Sequence, residues 1–326
     1  MSPYTQLTQG KRYQIRALLK AGFSQTKMAN IIGVHKSTIS REIRRNSGYK
    51  SYRPHQAHEK SLERRFAIPK RIKMTPAMIE LITRYITLDF SPEQVSGYLD
   101  RAYKIKISHE TIYKYIWADK RYGGNLYKHL RQPNHKYRKR YGSKPRHSRI
   151  KDQVSIDLRP DIVDAKNRIG DWELDTVTGK NSKGFLITAV ERKSKLTLIK
   201  RVADKQSDRT ARAIVSLLRP YKDRILTITT DNGLEFARHK VISKNLKADV
   251  YFAHPYHSWE RGLNENTNGL IRQYFPRKMD FRKIDNKSIE LVMERLNNRP
   301  RKTLGFYTPN DEFLKYANNN AVALMT

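Results

Sequence analysis

Carboxylates at three places in this chain have the setting of metal ligands: Asp175 in Trp172-Glu173-Leu174-Asp175, Asp231 in Thr230-Asp231-Asn232-Gly233, and Glu265 in Arg261-Gly262-Leu263-Asn264-Glu265-Asn266. Hard oxygen donors suit Mg²⁺ or Mn²⁺, and converging acids of this kind can act on phosphate. Such a site can take two ions about 3.5–4 Å apart, one activating an attacking oxygen and one stabilising the departing oxygen. On the first strand the choice of acid stays open. Asp171, Glu173 and Asp175 alternate at period two and share one face, so position alone leaves three candidates.

Strands and helices must bring these acids together. Val, Ile, Leu, Thr and Phe cluster at 171–178, 184–192, 196–203, 224–230 and 248–253, which predicts five strands. Residues 206–221 are helical by pattern, and another helix follows Gly262. Early hairpins with later helical crossovers predict a mixed five-stranded sheet covered by helices. Asp231 ends an apolar strand just before Asn-Gly, where a tight turn exposes its carboxylate at the sheet edge. Glu265 falls on the last helix, with Asn268 and Arg272 one and two turns further along its face. Two strand acids and one helical acid can then meet at one corner of the sheet.

Composition names the partner. Lys+Arg number 66 against 31 Asp+Glu, a formal charge of +35 over 326 residues, and a field of that sign attracts polyanions. The excess is uneven: residues 1–150 hold 33 basic and 9 acidic residues (+24), and residues 151–326 hold 33 and 22 (+11). No apolar run approaches the roughly 20 residues of a membrane span, and the N-terminus lacks a secretory signal pattern. The expectation is a cytoplasmic chain. The absence of Cys removes disulfides and Cys-containing zinc sites, so His55-x-x-His58 has no thiol partners.

The basic N-terminal half reads as all-α. Within 11–22, Ile15, Leu18 and Leu19 recur at helical spacing and Gly22 supplies a stop. Ser24 can cap a short helix containing Ala29 and Ile32, Gly33 allows a tight turn, and Val34, Ile39 and Ile43 face inward from the next helix. That is helix-turn-helix spacing. It leaves Lys36, Ser37, Ser40, Arg41 and Arg44 outward to meet bases and phosphates, with Ser37 and Arg41 the candidates for base contact. At 90–117, Ser91-Pro92-Glu93-Gln94 has the form of a capping box, Ser108 can cap a following helix, and His109, Thr111 and Lys114 point outward. This segment is read as a second helix-turn-helix, although an ordinary three-helix packing unit fits nearly as well because no turn Gly marks it. From Arg131 to Arg149 there is no acid, and Arg138, Lys139 and Arg140 lie in a stretch read as a basic linker that can track a DNA backbone.

Local strings sharpen the reading. Trp172-Glu173-Leu174-Asp175, Thr230-Asp231-Asn232-Gly233-x-x-Phe236 and Pro255-Tyr256-x₅-Gly262-x-x-Glu265-x-x-Asn268 together resemble the DDE transposase and retroviral integrase superfamily, with Asp231 and Glu265 separated by 34 positions. More narrowly, Arg168-Ile169-Gly170-Asp171-Trp172-Glu173, the run from Asn264 to Pro276, and Asn297-Asn298-Arg299-Pro300-Arg301-Lys302 resemble transposases of the insertion-sequence-thirty family. The resemblance implies a ribonuclease-H-like α/β core and a catalytic, metal-binding triad of Asp175, Asp231 and Glu265, selecting Asp175 over Asp171 and Glu173, and Glu265 over Glu260 and Glu235. His254, Arg261, Arg272 and Lys278 become candidates to hold DNA.

It further implies Mg²⁺ or Mn²⁺, two per site, no organic cofactor, and double-stranded DNA as partner, both element ends and target. The expected activity is metal-dependent strand cleavage and 3′-hydroxyl strand transfer at terminal inverted repeats, by a homodimer or larger assembly associated with a prokaryotic nucleoid. Two other readings keep the same residues: a DNA-binding self-repressor with an inactive catalytic half, and a hydrolytic nuclease. The expected domains are 1–65 and 66–130, both DNA-binding, a basic linker at 131–160, and a catalytic domain at 161–326.

Overall fold

The computed structural model describes residues 6–48, 51–67, 74–131, 150–255 and 257–322. They fall into two compact units, 1–73 and 74–326. Among the described residues no helix is long and apolar enough to cross a membrane.

The first unit holds α1 (Gln9–Lys20), α2 (Gln25–Ile32), α3 (Lys36–Asn46) and α4 (Pro54–Ala67). Ser24 caps α2 by accepting from the Lys27 N–H, and Gly33 ends it in the left-handed region at φ 70°. Ile15, Met28, Ala29, Ile32 and Ile39 are buried between the helices. A buried ion pair, Arg12 Nε to Glu42 Oε1 at 2.7 Å, ties α1 to α3, and the Tyr52 hydroxyl donates to the same carboxylate. With that apolar stripe inward, Lys36, Ser40, Arg41 and Arg44 are exposed and Ser37 is half-buried.

The second unit begins with α5 (Pro76–Thr87), α6 (Pro92–Tyr103) and α7 (His109–Arg121). The capping box at Ser91 is formed in both directions with Gln94. Lys104 takes the left-handed turn position, φ 57°, that a Gly more often fills, which is why the sequence shows no glycine there. Ile82, Ile86, Val95, Leu99, Ile112 and Ile116 form the core, while His109 and Lys114 are exposed and Thr111 is half-buried. These helices pack on the C-terminal sheet domain. Buried Asp89 accepts from the Tyr274 hydroxyl at 2.8 Å and from Arg295, and lies 2.8 Å from His129 Nδ1. Gln94 also donates to the Pro300 carbonyl at 2.8 Å.

The rest is a mixed sheet with its helices: β1 (Val154–Ser155), α8 (Ile162–Ala165), β2 (Asp171–Thr178), β3 (Phe185–Glu191), β4 (Thr197–Val202), α9 (Ser207–Leu218), β5 (Thr227–Thr230), α10 (His239–Leu246), β6 (Asp249–Phe252), α11 (Gly262–Tyr274), α12 (Asn286–Asn297) and α13 (Pro309–Val322). The spatial order is β1-β6-β5-β2-β3-β4, with β2, β3 and β4 antiparallel and β5, β6 and β1 parallel. This is the ribonuclease-H-like core that the resemblance implies, with six strands in place of the expected five. The added strand, β1, lies inside the segment read as a linker, 131–160. Two residues are too few to show a period, and β1 exists only by pairing with β6, Val154 opposite Tyr251. Arg138, Lys139 and Arg140 lie outside the described residues.

Period two divides β2 between two cores. Trp172 and Leu174 enter the layer under α9 and α10 with Ile214, Leu218, Ile228 and Phe252. Val177 packs on the other face with Leu270 and Ile271 of α11 and Leu296 of α12. The acids of β2 therefore face α11.

Asn297 closes the far edge of the sheet: its Oδ1 accepts from the Thr197 N–H and its Nδ2 donates to the Thr197 carbonyl, both at 2.8 Å. Asn297→Ala strands both buried backbone groups, and the expected destabilisation is about 1–3 kcal/mol. It is measured as a lower urea midpoint for the full chain; an unchanged midpoint would remove the edge-clamp role.

Candidate active site

Each acid of β2 meets a different environment. Asp171 is engaged by Arg168 Nε at 2.9 Å and Nη2 at 3.0 Å, and accepts from the Thr227 hydroxyl at 2.7 Å. Glu173 pairs with Arg192 Nη1 at 2.7 Å and accepts from the Asn264 N–H at 3.3 Å. Burial pushes the Glu173 carboxyl up, and Arg192 opposes that shift. Both side chains are shut from solvent, at 1 % and 2 % exposure, whereas Asp175 keeps 18 %. The face that period two left undivided is thus divided by pairing. Two acids are consumed by arginines inside the fold, and the third reaches the surface.

Asp175 is held from both sides. Its Oδ1 accepts from the Thr176 N–H at 2.8 Å and its Oδ2 from Asn268 Nδ2, one helical turn beyond Glu265, at 2.7 Å. Thr188 on β3 donates to the Asp175 carbonyl at 3.3 Å and lies 3.3 Å from Asn268 Oδ1. Burial raises the Asp175 carboxyl above the ordinary aspartate range; Arg261 pulls it back down, and the neighbouring Asp231 charge adds to the rise.

Asp231 follows β5, in the turn the Asn-Gly pair predicts. Its Oδ1 accepts from the Gly233 N–H at 3.0 Å, and Asn232 donates to the Ala253 carbonyl at 2.6 Å. Its Oδ2 meets Arg261 Nη2 at 3.2 Å, and Arg261 Nη1 stands 3.7 Å from Asp175 Oδ1 while donating to the Leu174 carbonyl at 3.2 Å. One guanidinium therefore spans the two strand acids. Glu235 is drawn elsewhere, to Lys205 Nζ at 2.6 Å and the Thr176 hydroxyl at 2.8 Å; burial works against its charge, but Lys205, a backbone N–H and Thr176 together hold its carboxyl below the usual range.

Glu265 is exposed in the first turn of α11 and lines a cleft of about 700 Å³ with Asp175, Arg261, Asn268, Arg272 and Arg277. The structure brings Asp175 and Asp231 to one guanidinium and Asp175 and Glu265 to one cleft, without closing all three to metal-ligand separation. The donor set fits a hard divalent cation. Two carboxylates approach each other at a half-buried corner, the less exposed one, Asp175, has its charge disfavoured, and a cation already lies between them.

The cleft rim is basic. Arg272 donates to the Thr178 carbonyl at 2.7 Å and lies over the Phe281 ring at 5.4 Å, with burial, and then Arg277, lowering its guanidinium's proton affinity. Lys278 is exposed but Arg277 takes the cleft-lining place, and Arg131, which donates to Asn266 Oδ1 at 3.4 Å, lines it too. Sequence reading passed over Arg277 and placed Arg131 at the start of the basic linker, not at this cleft. Arg131 reaches the site only because the helical bundle docks on α11, and no local pattern announces that. His254 lies apart from the cleft, between Asp157 and Glu260.

A helix-turn-helix domain model matches residues 3–46. The chain is 44% identical over 319 residues to the transposase for insertion sequence element IS4351 of Bacteroides fragilis, covering 97% of this chain and 98% of that one. It is 36% identical over 324 residues to the transposase InsI for insertion sequence element IS30A of Escherichia coli (strain K12), covering 94% and 82%. Among solved structures, the catalytic core domain of BIV integrase aligns at 22% identity with a TM-score of 0.36, over 46% of this chain and 97% of that one. The sequence identity, sustained over almost the whole length, places the chain in the insertion-sequence-thirty family of transposases.

Proposed function

We propose that the chain is a DDE-type DNA transposase that recognises the terminal inverted repeats of its own element, cleaves DNA there, and joins the freed 3′-hydroxyl to another phosphodiester. The observation that carries this reading is the pairing of Asp175 and Asp231 across Arg261, beside a cleft shared with Glu265 and rimmed by arginines. Asp175, Asp231 and Glu265 would hold Mg²⁺ or Mn²⁺, two per site. When bound, the ions lower the pKa of an attacking oxygen and offset charge on the departing one.

The protein's own groups do the positioning. Asn268 and the Thr176 N–H fix both Asp175 oxygens, so the carboxylate presents one orientation. The Asx turn at Gly233 does the same for Asp231. Arg131, Arg272 and Arg277 offer guanidinium groups at the rim for backbone phosphates. No nucleophilic Ser or Tyr is needed, because water and then the DNA 3′-hydroxyl supply the attacking oxygen. In the first unit, Lys36, Ser37, Ser40, Arg41 and Arg44 would read the ends; His109, Thr111 and Lys114 would add a second contact, and Arg138, Lys139 and Arg140 would follow the backbone. Joining two ends requires two such chains, so a homodimer or larger complex on the prokaryotic nucleoid completes the proposal.

Purified protein, Mg²⁺ and labelled ends from its own flanking DNA test the activity. Site-specific nicking followed by joining is the expected result. Binding without cleavage would instead indicate a self-repressor, and nicking without joining a nuclease.

Asp175→Asn, Asp231→Asn and Glu265→Gln are each expected to abolish cleavage with end binding nearly intact, and robust cleavage by any one would remove that residue from the set. The acids of β2 also separate by stability. Glu173→Gln removes the buried one of the two carboxylates that hold Arg192, leaving only the exposed Asp164, and lowers the thermal midpoint; Asp175→Asn relieves a disfavoured charge and leaves the midpoint unchanged or higher. The reverse order would contradict the assignment. In band-shift titrations Arg41→Ala should relax sequence preference by about 1–3 kcal/mol, while equal losses on specific and random DNA would make Arg41 a phosphate contact. For roughly eight neutralised phosphates, log affinity against log salt should fall with a slope near about −7; a near-flat plot would rule out the electrostatic account of binding.

A further inference from the structure

Away from the three acids, His254, His257 and Glu260 bring their ligand atoms within 4.8 Å of one another, and no other group of three His, Cys, Asp or Glu among the described residues does so. The spacing is His-x-x-His-x-x-Glu. The His257 N–H donates to the His254 carbonyl at 3.3 Å, and the Glu260 N–H to the His257 carbonyl at 3.1 Å. Two successive i→i+3 turns superpose side chains three apart, which puts all three on one side of the segment.

The details resemble a prepared ligand set. Glu260 Oε2 accepts from the His254 N–H at 2.9 Å, and its Oε1 lies 2.9 Å from His254 Nδ1, so the carboxylate is already aimed. The His254 and His257 ring centroids are 5.3 Å apart. On the far side of the His254 ring, Nε2 lies 2.9 Å from Asp157 Oδ2. With carboxylates at both ring nitrogens the His254 imidazole carries two protons; an ion would replace the one on Nδ1, and the Asp157 carboxylate on Nε2–H would then raise the ring's strength as a ligand. His254, Glu260 and Asp157 line an open cleft of about 650 Å³ from which an ion could enter.

We propose that His254 Nδ1, His257 and Glu260 form a binding site for a borderline divalent cation of the Zn²⁺ class, separate from the three-carboxylate site, with Asp157 accepting the His254 Nε2–H. Two imidazoles and one carboxylate are donors for Zn²⁺, Co²⁺ or Ni²⁺, whereas Mg²⁺ prefers oxygen alone. The position gives the ion a consequence. Glu260 immediately precedes Arg261, and α11, which carries Glu265, starts at Gly262. An ion here would fasten the lead-in to that helix to the Asp157 segment beyond β1, and so fix where Arg261 projects.

The test uses the full chain carrying Asp175→Asn, Asp231→Asn and Glu265→Gln, so that the carboxylate site contributes nothing. After chelator treatment it is titrated with Co²⁺ and followed by visible absorption. The expected result is about one equivalent of saturable Co²⁺, displaced by Zn²⁺ and not by excess Mg²⁺. His257→Ala should abolish it, and Asp157→Asn should weaken it about 10–100-fold. Thermal melting checks that each variant is folded, and Glu260→Gln serves if His257→Ala is not. No saturable uptake, or uptake that survives both His257→Ala and Glu260→Gln, would overturn the proposal.

Discussion

Two carboxylates drawn together at a half-buried corner repel each other, and the catalytic half of the molecule is organised around that cost. Asp175 sits where burial and the charge of Asp231 both disfavour ionisation. Arg261, at the root of α11, offsets this by spanning the pair while also donating to the Leu174 carbonyl of β2. A single cation between two acids is the electrostatic arrangement a divalent ion would complete, and the adjoining arginine rim supplies the sign of charge that DNA phosphate needs.

Keeping that corner intact depends on pairings deeper in the fold. Glu173–Arg192 and Asp171–Arg168 occupy the two other acids of the same strand face, and the Glu173 carboxylate also receives the Asn264 N–H from the first turn of α11. Strand β2 and helix α11 are therefore fastened close to Asp175 and Glu265. On the outer side of α11, Tyr274 meets Asp89 and Gln273 donates to the His129 carbonyl at 3.1 Å. The second helical bundle thus rests on the helix that carries Glu265, and an event that moves one would move the other.

Much of this was legible in the sequence where the signal is local. Ser24, Gly33, Ser91 and Ser108 act as caps and stops because capping depends on a few neighbouring residues, and all four do so. The five longer strands fall within a few residues of their expected bounds, since each is an apolar run between breaks. The strand missed, β1, is two residues paired in parallel to a segment nearly a hundred positions away. That Arg131 and Arg277 line the cleft, and that Arg192 absorbs Glu173, was invisible for the same reason: their partners are set by packing. Period two placed Asp171, Glu173 and Asp175 on one face correctly and could go no further, because what distinguishes them is which arginine lies opposite.

Metal rescue at one ligand tests the central claim most directly. The chain has no cysteine, so Asp175→Cys introduces a single thiolate at the site. A soft sulfur ligand disfavours Mg²⁺ and tolerates Mn²⁺. If Asp175 ligates the ion, cleavage of the element's ends by this variant is lost in Mg²⁺ and regained in Mn²⁺. Equal inactivity in both, with DNA binding and thermal midpoint unchanged, would contradict a ligand role for Asp175.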